Sequence, residues 1–253
     1  MVFPVTITLG GLQLPLHTLT ETLGMFLGFR YFLFLRRRQG DQVHDSNRIW
    51  AIIGAMFGAL LGSRLLGALE YPPGFSSAGN LLVYIYKSKT IVGGLLGGLI
   101  GVEGIKKIVG ERSSTGDLFV YPLMLAIIIG RIGCFTMGVY EETYGLPTAL
   151  PWGMDLGDHI LRHPVSLYEI VFLIILWITL HLISKRFVLE SGALFKLFMI
   201  AYLLFRFLLD FIKPGYRFPG GLGSIQIACL LGLVYYARVI IFPSRLLKKE
   251  QYA

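Results

Sequence analysis

Seven stretches of this chain, near residues 16–35, 49–69, 90–109, 117–138, 165–184, 192–212 and 223–242, are each apolar over roughly the 20 residues that a helix needs to cross a bilayer. In lipid, backbone polar groups must be satisfied within the chain, so runs of this length are read as helices. The expected fold is an all-α integral membrane protein with seven transmembrane helices. The 253 residues are read as a single polytopic domain, 1–253, because no soluble domain and no low-complexity tail interrupt the pattern. Composition agrees: 55% of residues are hydrophobic and 15% charged, with a mean hydropathy of +0.68, too little charge to cover a soluble surface. Thirty-one glycines suit close helix packing in lipid. Neither an internal repeat nor a matched pair of broken apolar segments marks a transporter.

The basic residues set a direction. Arg36, Arg37, Arg38, Arg48, Lys106, Lys107, Arg112, Lys185, Arg186, Arg245, Lys248 and Lys249 fall on one side of the predicted spans. Only Lys87, Lys89, Arg162, Lys213 and Arg217 fall on the other. Cytoplasmic loops carry the excess of Lys and Arg, so the N-terminus is expected outside and the C-terminus in the cytoplasm. The long loop 139–164 is then an outer loop. The leading stretch MVFPVTITLGGLQLPLHTL has neither a basic n-region nor a small-residue cleavage site, and reads as a partly polar segment at the interface rather than a removed signal peptide.

The net charge of +8 would raise nucleic acid as a partner of a soluble protein. Here the basic residues cluster beside apolar runs, where they meet lipid headgroups, so the expected partner is the bilayer and no nucleic acid. The two cysteines, Cys134 and Cys229, lie inside apolar segments with no metal-ligand spacing, so neither a metal site nor an organic cofactor is expected.

Three arginines lie where charge is expensive: Arg64 in the second span, Arg131 in the fourth and Arg206 in the sixth. A guanidinium at a helix centre costs roughly 2.5–3.5 kcal/mol on insertion scales. With the topology above, each sits about two turns from the outer face. Three guanidiniums at one depth suit a shared anion, because the planar fork binds phosphate oxygens in pairs. A phospholipid headgroup is the anion at hand. Snorkelling or internal ion pairs are the competing readings. Tyr202, Arg206 and Asp210 recur at every fourth position, on one helical face, where Asp210 could steady Arg206.

In IVGGLLGGLIGVEG, the glycines Gly93, Gly97 and Gly101, with Gly94 and Gly98, recur every fourth residue; they read as a packing stripe or as a smooth wall for a lipid chain. The outer loop carries Glu141, Glu142, Asp155, Asp158, His159 and His163. His163 and Glu169 flank the start of the fifth span, in HPVSLYE, and a carboxylate as deep as Glu169 needs a partner. No pattern of an ordinary serine hydrolase occurs.

The motifs GRIGCF, GLPTALPWG, RHPVSLYE and RFLLDFIKPG, in that order, resemble the bacterial prolipoprotein diacylglyceryl transferase family, and LGSRLL, VGGLLGG and FPVTITLGGLQLPLH fit the same order. The resemblance covers nearly the whole chain and implies seven spans with the N-terminus outside. It implies a bacterial inner-membrane transferase that moves the diacylglyceryl group of phosphatidylglycerol onto the lipobox cysteine thiol of a prolipoprotein. A thioether forms and glycerol phosphate leaves. Carried over by position, Arg131 and Arg206 hold the phosphodiester, Arg64 assists and Tyr202 orients Arg206. Glu142 stands for the acidic residue after the GRIG motif. Gly93, Gly94, Gly133, Cys134, Glu169 and Asp210 complete the expected substrate site.

Two positions depart from the family pattern. Val92 stands where a histidine precedes GGL, and Cys134 stands where an asparagine follows GRIG. The lost histidine bears on how the acceptor thiol, with a pKa near about 8.5, becomes thiolate; His163 or Glu142 is the expected substitute. Cys134, one turn from Arg131, reads either as a thiol beside a cation or as a small packed residue. A divergent transferase with another acceptor and a lipid-binding or lipid-translocating protein without chemistry are the alternative functions.

Overall fold

The computed structural model describes residues 3–9, 11–41, 43–77 and 79–248. Lys249, counted among the basic tail residues, and Met1, Val2 and Gly10 of the leading stretch lie outside the described residues. The elements run β1 (Thr6–Leu9), β2 (Leu12–Pro15), α1 (Leu16–Gln39), α2 (Asp45–Ala68), α3 (Gly74–Ser77), α4 (Leu81–Lys87), α5 (Ile91–Val109) and α6 (Val120–Met137). There follow β3 (Met154–Asp155), β4 (Leu161–Arg162), α7 (Val165–Arg186), α8 (Ala193–Leu209), α9 (Ser224–Tyr235) and α10 (Ala237–Ile241). The architecture is helical apart from two small antiparallel hairpins.

Among the described residues, three segments are long and apolar enough to cross a membrane: Asp45–Ala68, Asp117–Tyr140 and Val165–Arg186, with mean hydropathies of 1.7, 2.1 and 2.1. Their outward faces carry large apolar side chains, among them Met56, Phe57, Ile132, Ile175 and Leu182. Lipid tolerates such a surface and water does not. The helices α1, α5 and α7 end in basic turns, Arg36–Arg38, Lys106–Lys107 and Lys185–Arg186. Cations there complement the negative end of the helix dipole.

The chain divides into two compact units. The first comprises residues 1–40, 116–188 and 211–214. Within it α1 lies against α6, with Gly24 meeting the Ala126 carbonyl and Gly28 the Pro122 carbonyl. The rings of Phe32 and Phe119 stack at 4.3 Å beside them. The hairpin β1–β2 is tied to the end of α6, because Val5 N–H donates to the Thr136 carbonyl at 2.9 Å and Leu16 N–H to the Val5 carbonyl at 3.0 Å. That tether sets the first turn of α1 beside the last turn of α6.

The second unit comprises residues 41–115, 189–210 and 215–253. Its spine is the antiparallel pair α2–α5, in which Gly54 faces Gly101, Gly58 faces Gly97 and Gly62 faces Gly93. At each pair a Cβ would strike a backbone carbonyl of the other helix, so only glycine permits this approach. Gly94 lies off the ladder, with its nearest neighbours at 3.9 Å.

Helices lie over the seven apolar stretches, and three local features go beyond the sequence pattern. The connection 70–90, which carries no expected span, holds α3 and α4. Asn80 starts α4 by accepting from Leu82 N–H at 3.0 Å and Val83 N–H at 3.2 Å, an N-cap that stabilises a short helix. The sixth span ends as α-helix at Leu209 and tightens to a 3-10 turn over Asp210–Ile212. The seventh is broken at Tyr236, where ψ opens to 5° and the N–H is shared between the Gly232 and Leu233 carbonyls.

Candidate active site

Arg131 lies on α6 and is almost fully buried. Its Nε stands 2.9 Å from Oε2 of Glu169, a residue on the second turn of α7 that is 1% exposed. The carboxylate that needs a partner and the guanidinium that needs an anion therefore meet. A buried pair of this kind does little for net stability, because desolvation of two charges offsets their attraction. Its effect is to fix the guanidinium in one rotamer. Nη1 of Arg131 reaches Cys134 Sγ at 3.5 Å, one turn further along the same face.

His17, in the first turn of α1, faces the same place. Its Nδ1 lies 3.5 Å from Glu141 Oε2 and its Nε2 lies 3.4 Å from Glu21 Oε2. Gly133 makes room for this ring, since a Cβ there would stand 3.1 Å from His17 Nδ1. Glu141 comes back toward α6 because Gly138 turns the chain with φ of 60°, a conformation that glycine adopts freely, and Val139 N–H is held by the Leu156 carbonyl at 3.1 Å. One ligand atom from each of His17, Cys134 and Glu141 lies within 4.8 Å of the others. Among the described residues this is the group with the donor set of a metal site.

Glu142 is exposed, and the acidic side chain grouped with His17 and Cys134 is Glu141. His163 packs edge-on against Tyr168, with Nδ1 3.2 Å from its hydroxyl, and Trp152 Nε1 donates to the same hydroxyl at 2.8 Å. Around His163 the loop 139–164 is folded: Gly145 N–H donates to its carbonyl and its own N–H to the Leu146 carbonyl, both at 3.1 Å. Nearby, Arg162 closes on Asp158 at 2.7 Å. The Arg162 guanidinium holds the Asp158 carboxyl below the usual carboxylate range, and the Gly157 N–H does the same for Asp155.

The remaining expected residues belong to the second unit. Tyr202 is fully buried and stacks on Phe198 at 5.8 Å; Arg206, one turn on, is 2% exposed. Asp210 accepts from Arg217 Nη1 at 2.8 Å, and that same nitrogen donates to Gln226 Oε1 at 2.5 Å. Arg64 lies over the Tyr86 ring at 4.9 Å and donates to the Ser88 carbonyl at 3.3 Å. Gly93 belongs to the glycine ladder, and Val92 beside it is fully buried.

The sequence analysis did not single out His17, Glu21 or Glu141 as site residues. The signal for the first two is the spacing in HTLTE, which puts a histidine and a carboxylate four residues apart on one helical face.

The sequence model of the family described as prolipoprotein diacylglyceryl transferase matches residues 4–242. The chain is similar to a protein of Cupriavidus metallidurans named phosphatidylglycerol–prolipoprotein diacylglyceryl transferase, at 33% identity over 86% of this chain and 83% of that protein. A protein of the same name from Nitratidesulfovibrio vulgaris is 32% identical over 90% of this chain and 89% of its own length. Another from Wolbachia pipientis is 28% identical over 94% and 95%. The matched region takes in GRIGCF, RHPVSLYE and RFLLDF, the motifs that carry Arg131, Glu169 and Arg206. The chain belongs to the prolipoprotein diacylglyceryl transferase family.

Proposed function

We infer that this protein transfers the diacylglyceryl group of phosphatidylglycerol to the lipobox cysteine thiol of a prolipoprotein. The observation that carries this reading is the family match over residues 4–242. In the reaction the acceptor sulfur bonds to the glycerol carbon that bears the phosphate. The carbon–oxygen bond breaks, and glycerol phosphate leaves with the electron pair. Negative charge grows on the leaving phosphate, and a guanidinium already aimed and desolvated stabilises it without reorganising. Arg131 has that character, since it is almost fully buried and its Nε is held 2.9 Å from Glu169 Oε2. Arg206 and Arg64 keep the phosphate roles that the motifs imply, with Tyr202 and Asp210 steadying Arg206. Gly94 keeps its place in the lipid-binding wall, Gly93 packs that wall against α2, and Gly133 and Cys134 line the reacting end. Glu142 and His163, on the outer loop, take up the proton released by the acceptor.

The chain acts as a single polytopic domain of the bacterial inner membrane with seven spans, its N-terminus outside, its C-terminus in the cytoplasm and its site facing the outer leaflet. The basic ends of α1, α5 and α7 support that orientation. The prolipoprotein signal peptide then reaches the site from the side of loop 139–164.

The test uses purified protein in detergent, phosphatidylglycerol labelled in its headgroup glycerol, and a lipobox peptide. Labelled glycerol phosphate should appear together with a peptide heavier by one diacylglyceryl group. A peptide with serine for the cysteine should yield neither. Release of label without a modified cysteine peptide overturns the assignment.

A further inference from the structure

We propose that His17, Cys134 and Glu141 form a zinc site whose open fourth position binds the acceptor cysteine as thiolate. The proposal rests on the transferase reading above and deepens it. The three side chains come from the first turn of α1, the last turn of α6 and the loop after it, so no sequence spacing announces them. Imidazole, thiolate and carboxylate are the donors that zinc takes, and a set of three with one place open is the pattern of a reactive site rather than a structural one.

The geometry is near what the ion requires. Bonds of about 2.0–2.3 Å in tetrahedral array separate the donor atoms by about 3.3–3.8 Å. His17 Nδ1 and Glu141 Oε2 are 3.5 Å apart, and the full set lies within 4.8 Å. Side-chain movement of about 1 Å closes the set on the ion. A second feature points the same way. The other ring nitrogen of His17 faces the Glu21 carboxylate at 3.4 Å. A carboxylate on the far nitrogen fixes the tautomer of a ligating histidine and raises its basicity. Here it leaves Nδ1, 3.5 Å from Glu141 Oε2, as the nitrogen toward the other donors.

Charge balance also fits. One Zn²⁺ with the Cys134 thiolate and the Glu141 carboxylate is neutral. An acceptor thiolate adds one negative charge, and the Arg131 guanidinium 3.5 Å from Cys134 Sγ stabilises it. Zinc coordination strips the proton from a thiol outright, which answers how thiolate forms where Val92 replaces a histidine. The zinc-bound acceptor sulfur then attacks the glycerol carbon of the donor. A C–S bond forms, the C–O bond breaks, the leaving glycerol phosphate keeps the electron pair, and the thiol's proton has already passed to the outer loop.

Cobalt(II) titration of the full-length protein in detergent tests this. One equivalent should bind and give a sulfur-to-cobalt charge-transfer band, and zinc should compete for it. Cys134→Ser should lose the band, and Glu21→Gln should weaken binding by about 10–100-fold while leaving the band's position. Size-exclusion profiles identify any variant that fails to fold, and His17→Gln serves as a second ligand variant. Adding a lipobox peptide should intensify the band, and a serine peptide should not. Failure to bind either ion, binding unaffected by both Cys134→Ser and His17→Gln, or no spectral response to the cysteine peptide overturns the proposal. Glycerol phosphate release by metal-free protein overturns it too but leaves the transferase reading intact. Thiolate binding at the cobalt site without turnover overturns the transferase reading instead.

Discussion

Arg131 and Glu169 are joined across α6 and α7, Nε to Oε2 at 2.9 Å, with both residues withdrawn from the surface. Each answers for the other's presence in an apolar helix. Removing one partner strands the other, which costs about 3–5 kcal/mol in buried pairs, whereas replacing both with apolar residues is often neutral. Glu169→Leu should therefore lower thermal stability in detergent sharply, and the double variant Arg131→Met with Glu169→Leu should recover most of it. Equal melting of the single and double variants would show that the pair is not coupled.

The same arginine carries the chemical prediction. Arg131→Ala should lower kcat for glycerol phosphate release by at least about 100-fold, the scale seen when a preorganised donor to a developing anion is lost. Arg131→Lys keeps charge but not the planar fork, and should restore only part of the rate. Headgroup-labelled phosphatidylglycerol reads both.

Much of this site could be read from residue types, and its connections could not. Arg131 and Glu169 each stand out because charge in an apolar run needs a partner. That they partner each other depends on how α6 and α7 are rotated, which neither segment encodes alone. The choice between Glu141 and Glu142 turns on the short turn Gly138–Tyr140, where one residue of register reverses a side chain. His17 looked like part of an interfacial lead-in because the β1–β2 tether that carries it to α6 is made of backbone hydrogen bonds. Helix lengths were legible because apolar runs set them, while the break at Tyr236 lies within a run whose composition does not change.

The glycine ladder gives a packing prediction. Gly58→Val should destabilise the protein by about 1–3 kcal/mol or more, since its Cβ would enter the Gly97 carbonyl. Gly104→Ala, on the same α5 but with nothing within 4 Å of the added carbon, should be neutral or stabilising by up to about 1 kcal/mol. Thermal unfolding in micelles distinguishes them.

A polar prediction concerns Gln226, which is fully buried on α9. It accepts from Gly223 N–H at 2.9 Å and from Arg217, and donates to the Phe207 carbonyl at 3.4 Å. Gln226→Leu removes these partners together and should cost about 1–3 kcal/mol. Hydrogen exchange at the Gly223 amide should rise in the variant.

The loop 139–164 should loosen in acid. Asp155 and Asp158 have folded-state pKa values below the ordinary value of about 3.9. Their contribution to loop order is complete above that ordinary value and is lost as pH falls through the depressed ones. In a variant retaining only Trp152 among the tryptophans, emission should change as pH falls below about 4. Asp158→Asn should shrink that acid response.

The ladder between α2 and α5 also measures distance along the helix axis. A slip of four residues, about 6 Å, would still match Gly58 with Gly101 and Gly62 with Gly97. It would also set Gly54 against Ile105 and Leu66 against Gly93, and both bulky side chains would force the backbones apart. Two of the three rungs are thus interchangeable. The full set works like a vernier, in which the ends of the scale decide which marks coincide.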